Sequence, residues 1–131
     1  MKTSFKYYRP AILWALFILI LCTAKIGKIA QSSIFFPGFD KLVHCGLFFM
    51  LVVLYCYDFI RQQYHPAFSY KKIILITIAA ISYGGVIELL QKFMFTWRSG
   101  EWDDLFADSV GACMGAFSII ITVKALRYVK E

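Results

Sequence analysis

Four stretches of this chain carry no formal charge: Pro10–Ala24, Leu42–Tyr57 with His44 set aside, Ile73–Ile87 and Ser109–Val123. Each is roughly 15 residues, short of the ~20 that a helix needs to cross a bilayer perpendicularly. Polar flanks lengthen each run if they are helical and snorkel to the interface or turn inward. Tyr7 and Tyr8 extend the first run, Asp40 and Lys41 the second, the segment from Glu88 to Phe95 the third, and the segment from Asp103 to Asp108 the fourth. The pattern predicts helices over about residues 8–28, 40–61, 71–95 and 103–125. Pro37-Gly38 and His65-Pro66 break the chain ahead of the second and third. The expected architecture is all-α: a polytopic membrane protein, one domain over residues 1–131, built as a bundle of four transmembrane helices.

Composition strengthens that choice of solvent. Of 131 residues, 60% are hydrophobic, with 13 Phe, 8 Tyr and 3 Trp, and the mean hydropathy is +0.67. Soluble domains are about half apolar, and a chain this short leaves much of its surface outside any core. Cys22, Cys45, Cys56 and Cys113 fall inside apolar runs without a CxxC, which reads as reduced core or lipid-facing thiols. Lys2, Lys6 and Arg9 ahead of the first run, with Cys22-Thr23-Ala24 at its end, also fit a signal peptide. Leu21 before Cys22 argues against lipoprotein cleavage. An uncleaved helix is favoured because an even number of spans suits the charge distribution.

The net charge of +6 points to membrane anchoring rather than nucleic acid, because the positive residues sit at the ends of apolar runs. The N-terminus, the 61–72 loop and the C-terminus hold Lys2, Lys6, Arg9, Arg61, Lys71, Lys72, Lys124, Arg127 and Lys130, nine in all. The other side holds Lys25, Lys28, Lys41, Lys92 and Arg98, which is five. Nine against five puts both termini in the cytoplasm and turns the 25–41 and 92–103 segments outward. The expected location is the bacterial cytoplasmic membrane.

Helical wheels then align the polar residues. Asp40 and His44 share a face with Leu47, Leu51 and Leu54, and Asp58 lies on the same stripe ~27 Å further along. On the third helix, Thr77, Ile81, Gly84 and Glu88 form a stripe with Gln91 at its margin. On the fourth, Asp104, Asp108, Gly111, Gly115, Ser118 and Thr122 fall within ~40° of one line. Gly111 and Gly115 make a GxxxG, which lets membrane helices approach closely, so the expected packing glycines are Gly84, Gly111 and Gly115. The topology count brings Asp40 and His44, Glu88 and Gln91, and Asp104 and Asp108 to one depth at the outer end, beside Lys41 and Arg98. Helix capping by Asp40, Asp103 or Asp104 is the plain alternative. It leaves His44, Glu88 and Asp108, each a turn or more inside, without an account.

Four carboxylates (Asp40, Glu88, Asp104, Asp108) meet two fixed positive charges (Lys41, Arg98), and a protonated His44 would add a third. Crowded carboxylates in a low dielectric do not all stay ionised without compensation. At least one is expected to keep a proton or to meet a cation. His44, Glu88, Asp104 and Asp108 are ligand types for a divalent cation: oxygen-rich sites favour Mg, Mn or Ca, and the imidazole also admits Zn. No other cofactor is expected.

Asp40-Lys41-x-x-His44, Glu88-x-x-Gln91, Arg98 followed by Asp104, and Asp108-x-x-Gly111-x-x-x-Gly115 together resemble the VanZ-like family of small bacterial membrane proteins. The resemblance covers about residues 35–120. That family usually has Asn where this chain has Asp108, so the site gains an acid. The resemblance implies a cell-envelope role, with lowered susceptibility to lipoglycopeptides such as teicoplanin as a phenotype, and brings no settled biochemical activity. Three readings follow. In the first, an outer pocket of Asp40, Lys41, His44, Glu88, Gln91, Arg98, Asp104 and Asp108 binds a lipid-linked peptidoglycan precursor or another lipid headgroup. The basic residues suit phosphate or pyrophosphate, and the acids suit amines or a bridging cation. In the second, an intramembrane hydrolase or transferase uses His44 beside Asp40 as general base. In the third, the cluster only holds together a subunit of a larger envelope complex. Membrane lipids are the expected partners, and the oligomeric state is left open.

Overall fold

The computed structural model describes residues 8–24, 36, 38–62, 69–94 and 102–130. Among these, four helices form: α1 Arg9–Thr23, α2 Phe39–Gln62, α3 Tyr70–Met94 and α4 Trp102–Lys130. Pro10 starts α1, where a missing amide hydrogen costs nothing. Gly38, at φ +88°, turns the chain into α2; a side chain there would be strained, which accounts for the break expected at Pro37-Gly38. Asp40, Asp103 and Asp104 lie in the first turns of α2 and α4, inside the helices and not at the N-cap. There they face the positive ends of the helix dipoles.

α2, α3 and α4 are long and apolar enough to cross a membrane. Leu13, Ile20, Leu75, Ile78, Leu89, Phe106 and Phe117 are exposed, an apolar exterior that suits acyl chains and not water. α1 departs from the expected 8–28. It has 15 residues, ~22 Å of helix against a hydrocarbon core of ~30 Å. Ala24 is already extended (φ −71°, ψ 148°), and the Cys22 carbonyl is taken from outside by the Gln91 side chain, Nε2 to O 2.7 Å. Four membrane-long helices are therefore not found among the described residues; three are. α4 departs the other way and continues past the expected end at 125 to Lys130. The apolar run stops at Val123, but no Gly or Pro follows it, so a charged, good helix-forming sequence prolongs the helix.

α2 and α4 make the most extensive pairing, α3 packs on α4, and α1 lies against α2 and α3. The α2–α4 seam is set by glycine. A Cβ on Gly111 would run into the backbone of Cys45, and one on Gly115 would lie 2.8 Å from the Phe49 carbonyl. The two helices run parallel, so their first turns share one end of the bundle. Phe48, Val52, Ile87, Ala112 and Ala116 fill the centre. Ser109, Ser118 and Thr122 return their hydroxyls to carbonyls of α4 itself, which removes them as partners for a neighbour.

A candidate headgroup and cation site

α2 starts and α3 ends at the same end of the bundle where α4 starts, and each brings polar side chains inward. His44 comes one turn into α2, Glu88 comes from the last turns of α3, and Asp104 and Asp108 come from the first two turns of α4. All four are buried: 2% exposure for His44, 8% for Glu88, 3% for Asp104 and 1% for Asp108. The helical spacing that aligned them in the sequence therefore points inward on three separate helices. Asp40, expected beside them, keeps an exposed side chain at the rim.

His44 links the groups. Its Nδ1 lies 2.9 Å from Oδ1 of Asp108, and its Nε2 lies 4.0 Å from Oδ1 of Asp40. The imidazole thus stands between a buried acid and a rim acid. Lys41, half out of the bundle, places its Nζ 3.6 Å from Oδ1 of Asp104. Two overlapping sets result. Ligating atoms of His44, Glu88 and Asp108 all lie within 4.8 Å of one another, and so do those of Asp40, His44 and Asp104. Oδ2 of Asp108 is buried without a hydrogen-bond partner among the described residues. It faces Gly84, where a Cβ would lie 2.8 Å away. Gly84, expected as a packing glycine, thus leaves room for a carboxylate.

Gln91 sits at the same end, fully buried, and its amide donates to the Cys22 carbonyl of α1. Arg98 lies outside the described residues. Trp14 and Tyr83 have roles that helical periodicity does not assign. The Trp14 indole N–H donates to the Leu47 carbonyl at 2.9 Å, and the Tyr83 hydroxyl donates to the Ala15 carbonyl at 2.6 Å. A polar tip in the middle of an uncharged run is the available signal, since buried Trp and Tyr find partners.

Of the four buried residues, Glu88 also lines a lateral cavity. This cavity, of about 330 Å³ between α3 and α4, is lined by Glu88, Lys92, Trp102, Leu105, Ser82 and Val86, among others. A larger one of about 520 Å³, near the opposite end, lies between α1, α2 and α3 and is mostly apolar, with Lys72, Tyr8, Tyr55 and Tyr83 among its lining residues. Comparisons with protein-family models, curated proteins and solved structures return no match for this chain.

Proposed function

We propose that this chain is a bacterial cell-envelope membrane protein whose polar cluster binds the headgroup of a lipid-linked cell-wall intermediate or a related phospholipid. In this reading the first helix is a fourth, uncleaved span, both termini are cytoplasmic, and the cluster opens outward, as the nine-to-five distribution of basic residues favours. The three side-chain bonds that tie α1 to α2 and α3 support keeping it in the bundle. The carrying observation is that His44, Glu88, Asp104 and Asp108 converge from three helices beside a lateral cavity whose lining includes Lys92 and Trp102. Buried ionisable groups in a membrane bundle are costly and mark binding or conduction sites. A side opening admits a lipid without taking its tail out of the bilayer, and Lys41 and Lys92 suit its phosphate. The resemblance to the VanZ-like family belongs to the same proposal, with lowered teicoplanin susceptibility as the phenotype.

Titrating the protein in nanodiscs with an isoprenyl phosphate and with the matching isoprenol tests this. Saturable binding of the phosphate alone is expected, weakened by Lys41→Gln. Equal uptake of both lipids would discard the reading. The contact of His44 with Asp108 favours a second reading, an intramembrane hydrolase or transferase acting on such a lipid, because an oriented imidazole is what a general base requires. Phosphate release in the same nanodiscs separates the two.

A further inference from the structure

We propose that His44, Glu88 and Asp108 hold one divalent cation of the Mn²⁺ or Zn²⁺ type, and that a headgroup phosphate would address this ion. The inference deepens the headgroup reading and rests on the cluster being a ligand site. Three observations carry it. First, the ligating atoms from α2, α3 and α4 lie within 4.8 Å of one another, and all three residues are buried. Second, Nδ1 of His44 and Oδ1 of Asp108 are 2.9 Å apart. The pair is at hydrogen-bond distance as it stands, and it is also close to the ~3 Å that separates neighbouring octahedral ligands about 2.1 Å from one ion; a tetrahedral ion needs ~3.4 Å and a small outward shift. Third, Oδ2 of Asp108 is buried without a partner among the described residues. It faces Gly84, one helical turn before Glu88, at a place that a Cβ would fill.

Charge and second-sphere chemistry agree. Two carboxylates and a neutral imidazole balance one divalent ion, whereas taking unneutralised carboxylates out of water is expensive. With Nδ1 on the ion, Nε2 would carry the ring proton on the side of Asp40, whose Oδ1 lies 4.0 Å away, beyond direct hydrogen-bond reach. An outer acid that receives this proton, directly or through a water, is the arrangement that fixes the tautomer of a ligating imidazole. The overlapping set of Asp40, His44 and Asp104 is the weaker candidate, because the Lys41 ammonium lies 3.6 Å from Asp104 and Asp40 is exposed. One imidazole among oxygen donors selects Mn²⁺ or Zn²⁺ over Mg²⁺ or Ca²⁺.

The test uses the full chain in nanodiscs of zwitterionic lipid, titrated with Mn²⁺ alone and followed by the loss of the free-ion electron paramagnetic resonance signal. One Mn²⁺ per chain is expected, displaceable by Zn²⁺, with spin-echo modulation from a directly bound ¹⁴N. Asp40→Asn should weaken binding about 10–100-fold, and His44→Gln should abolish the nitrogen modulation. The nitrogen signal is read on the unmodified protein, so a variant that does not accumulate leaves the test complete. Absence of saturable uptake, or uptake without ¹⁴N coupling, would overturn the inference. Isoprenyl-phosphate binding that persists in EDTA without any metal uptake would overturn it while leaving the headgroup reading in place. Metal uptake without lipid-phosphate binding would support the cation site but overturn its role toward a phosphate, and the headgroup reading with it.

Discussion

The seam between α2 and α4 and the docking of α1 solve the same problem in opposite ways. In lipid, apolar helices gain little by leaving acyl chains for one another, so association comes from close packing and hydrogen bonds. The seam uses shape: Gly111 and Gly115 bring α4 onto the backbone of α2 at Cys45 and Phe49. α1 uses polar tips: Trp14, Tyr83 and Gln91 each bridge α1 and a neighbour through a backbone carbonyl, and a cavity of about 520 Å³ stays open beside it. The seam carries the buried acids of α4 and His44 of α2, which need fixed geometry. On this account the α1 contact should loosen without moving them.

The sharpest way to break this contrast is at Gly111. Valine there must displace the Cys45 backbone, which no side-chain rotation relieves, so a loss of at least ~3 kcal/mol is expected, at or above the upper end for overpacking. Thermal unfolding in nanodiscs, or failure to accumulate in membranes, reads it out. Next comes Asp108→Leu. It leaves the buried Nδ1 of His44 without its hydrogen-bond partner and should cost about 1–3 kcal/mol. Asp108→Asn should keep the fold and lose headgroup and cation binding by at least about tenfold, a difference of ~1.4 kcal/mol. Smaller effects belong to α1. Trp14→Phe, Tyr83→Phe and Gln91→Leu should each cost ~0.6 kcal/mol and at most ~2, with faster amide exchange confined to α1. If Gln91→Leu instead loosened α2 and α4 equally, the two regions would not be separable. An effect of similar size but opposite sign is expected at Gly46, where an added Cβ would meet nothing within 4 Å. Alanine there should stabilise α2 by ~0.5–1 kcal/mol, a control showing that glycine matters only where a neighbour is close.

Much of this is legible because a helix has one strong period. The spacing of Asp104, Asp108, Gly111 and Gly115 defines a face whatever the neighbours are, and that face is the buried one. The depth match of His44, Glu88 and Asp108 follows from counting antiparallel connections. Pairing is not legible. Periodicity says that Gln91 is inward, but not that it bonds the Cys22 carbonyl of α1. It marks Gly84 as small, but not as the gap that faces an Asp108 oxygen. Helix ends are the other loss. α1 stops at Thr23, just after an external donor takes the Cys22 carbonyl, and α4 runs to Lys130 because hydrophobicity ends before helix propensity does. Residue type alone suggests capping by Asp40, whereas the cap position falls at Gly38.

The central claim is that an imidazole of α2 and a carboxylate of α4 meet inside the bundle. Magic-angle-spinning ¹⁵N–¹³C dipolar dephasing in lipid bilayers measures this directly, with labelled His and Asp and with His65→Gln removing the second of the 2 histidines. The contact of 2.9 Å between Nδ1 and Oδ1 predicts strong dephasing of that nitrogen by a carboxyl carbon within ~4 Å, lost in Asp108→Asn prepared with unlabelled Asn. A His44 signal that does not dephase, or that dephases equally without Asp108, would contradict the account.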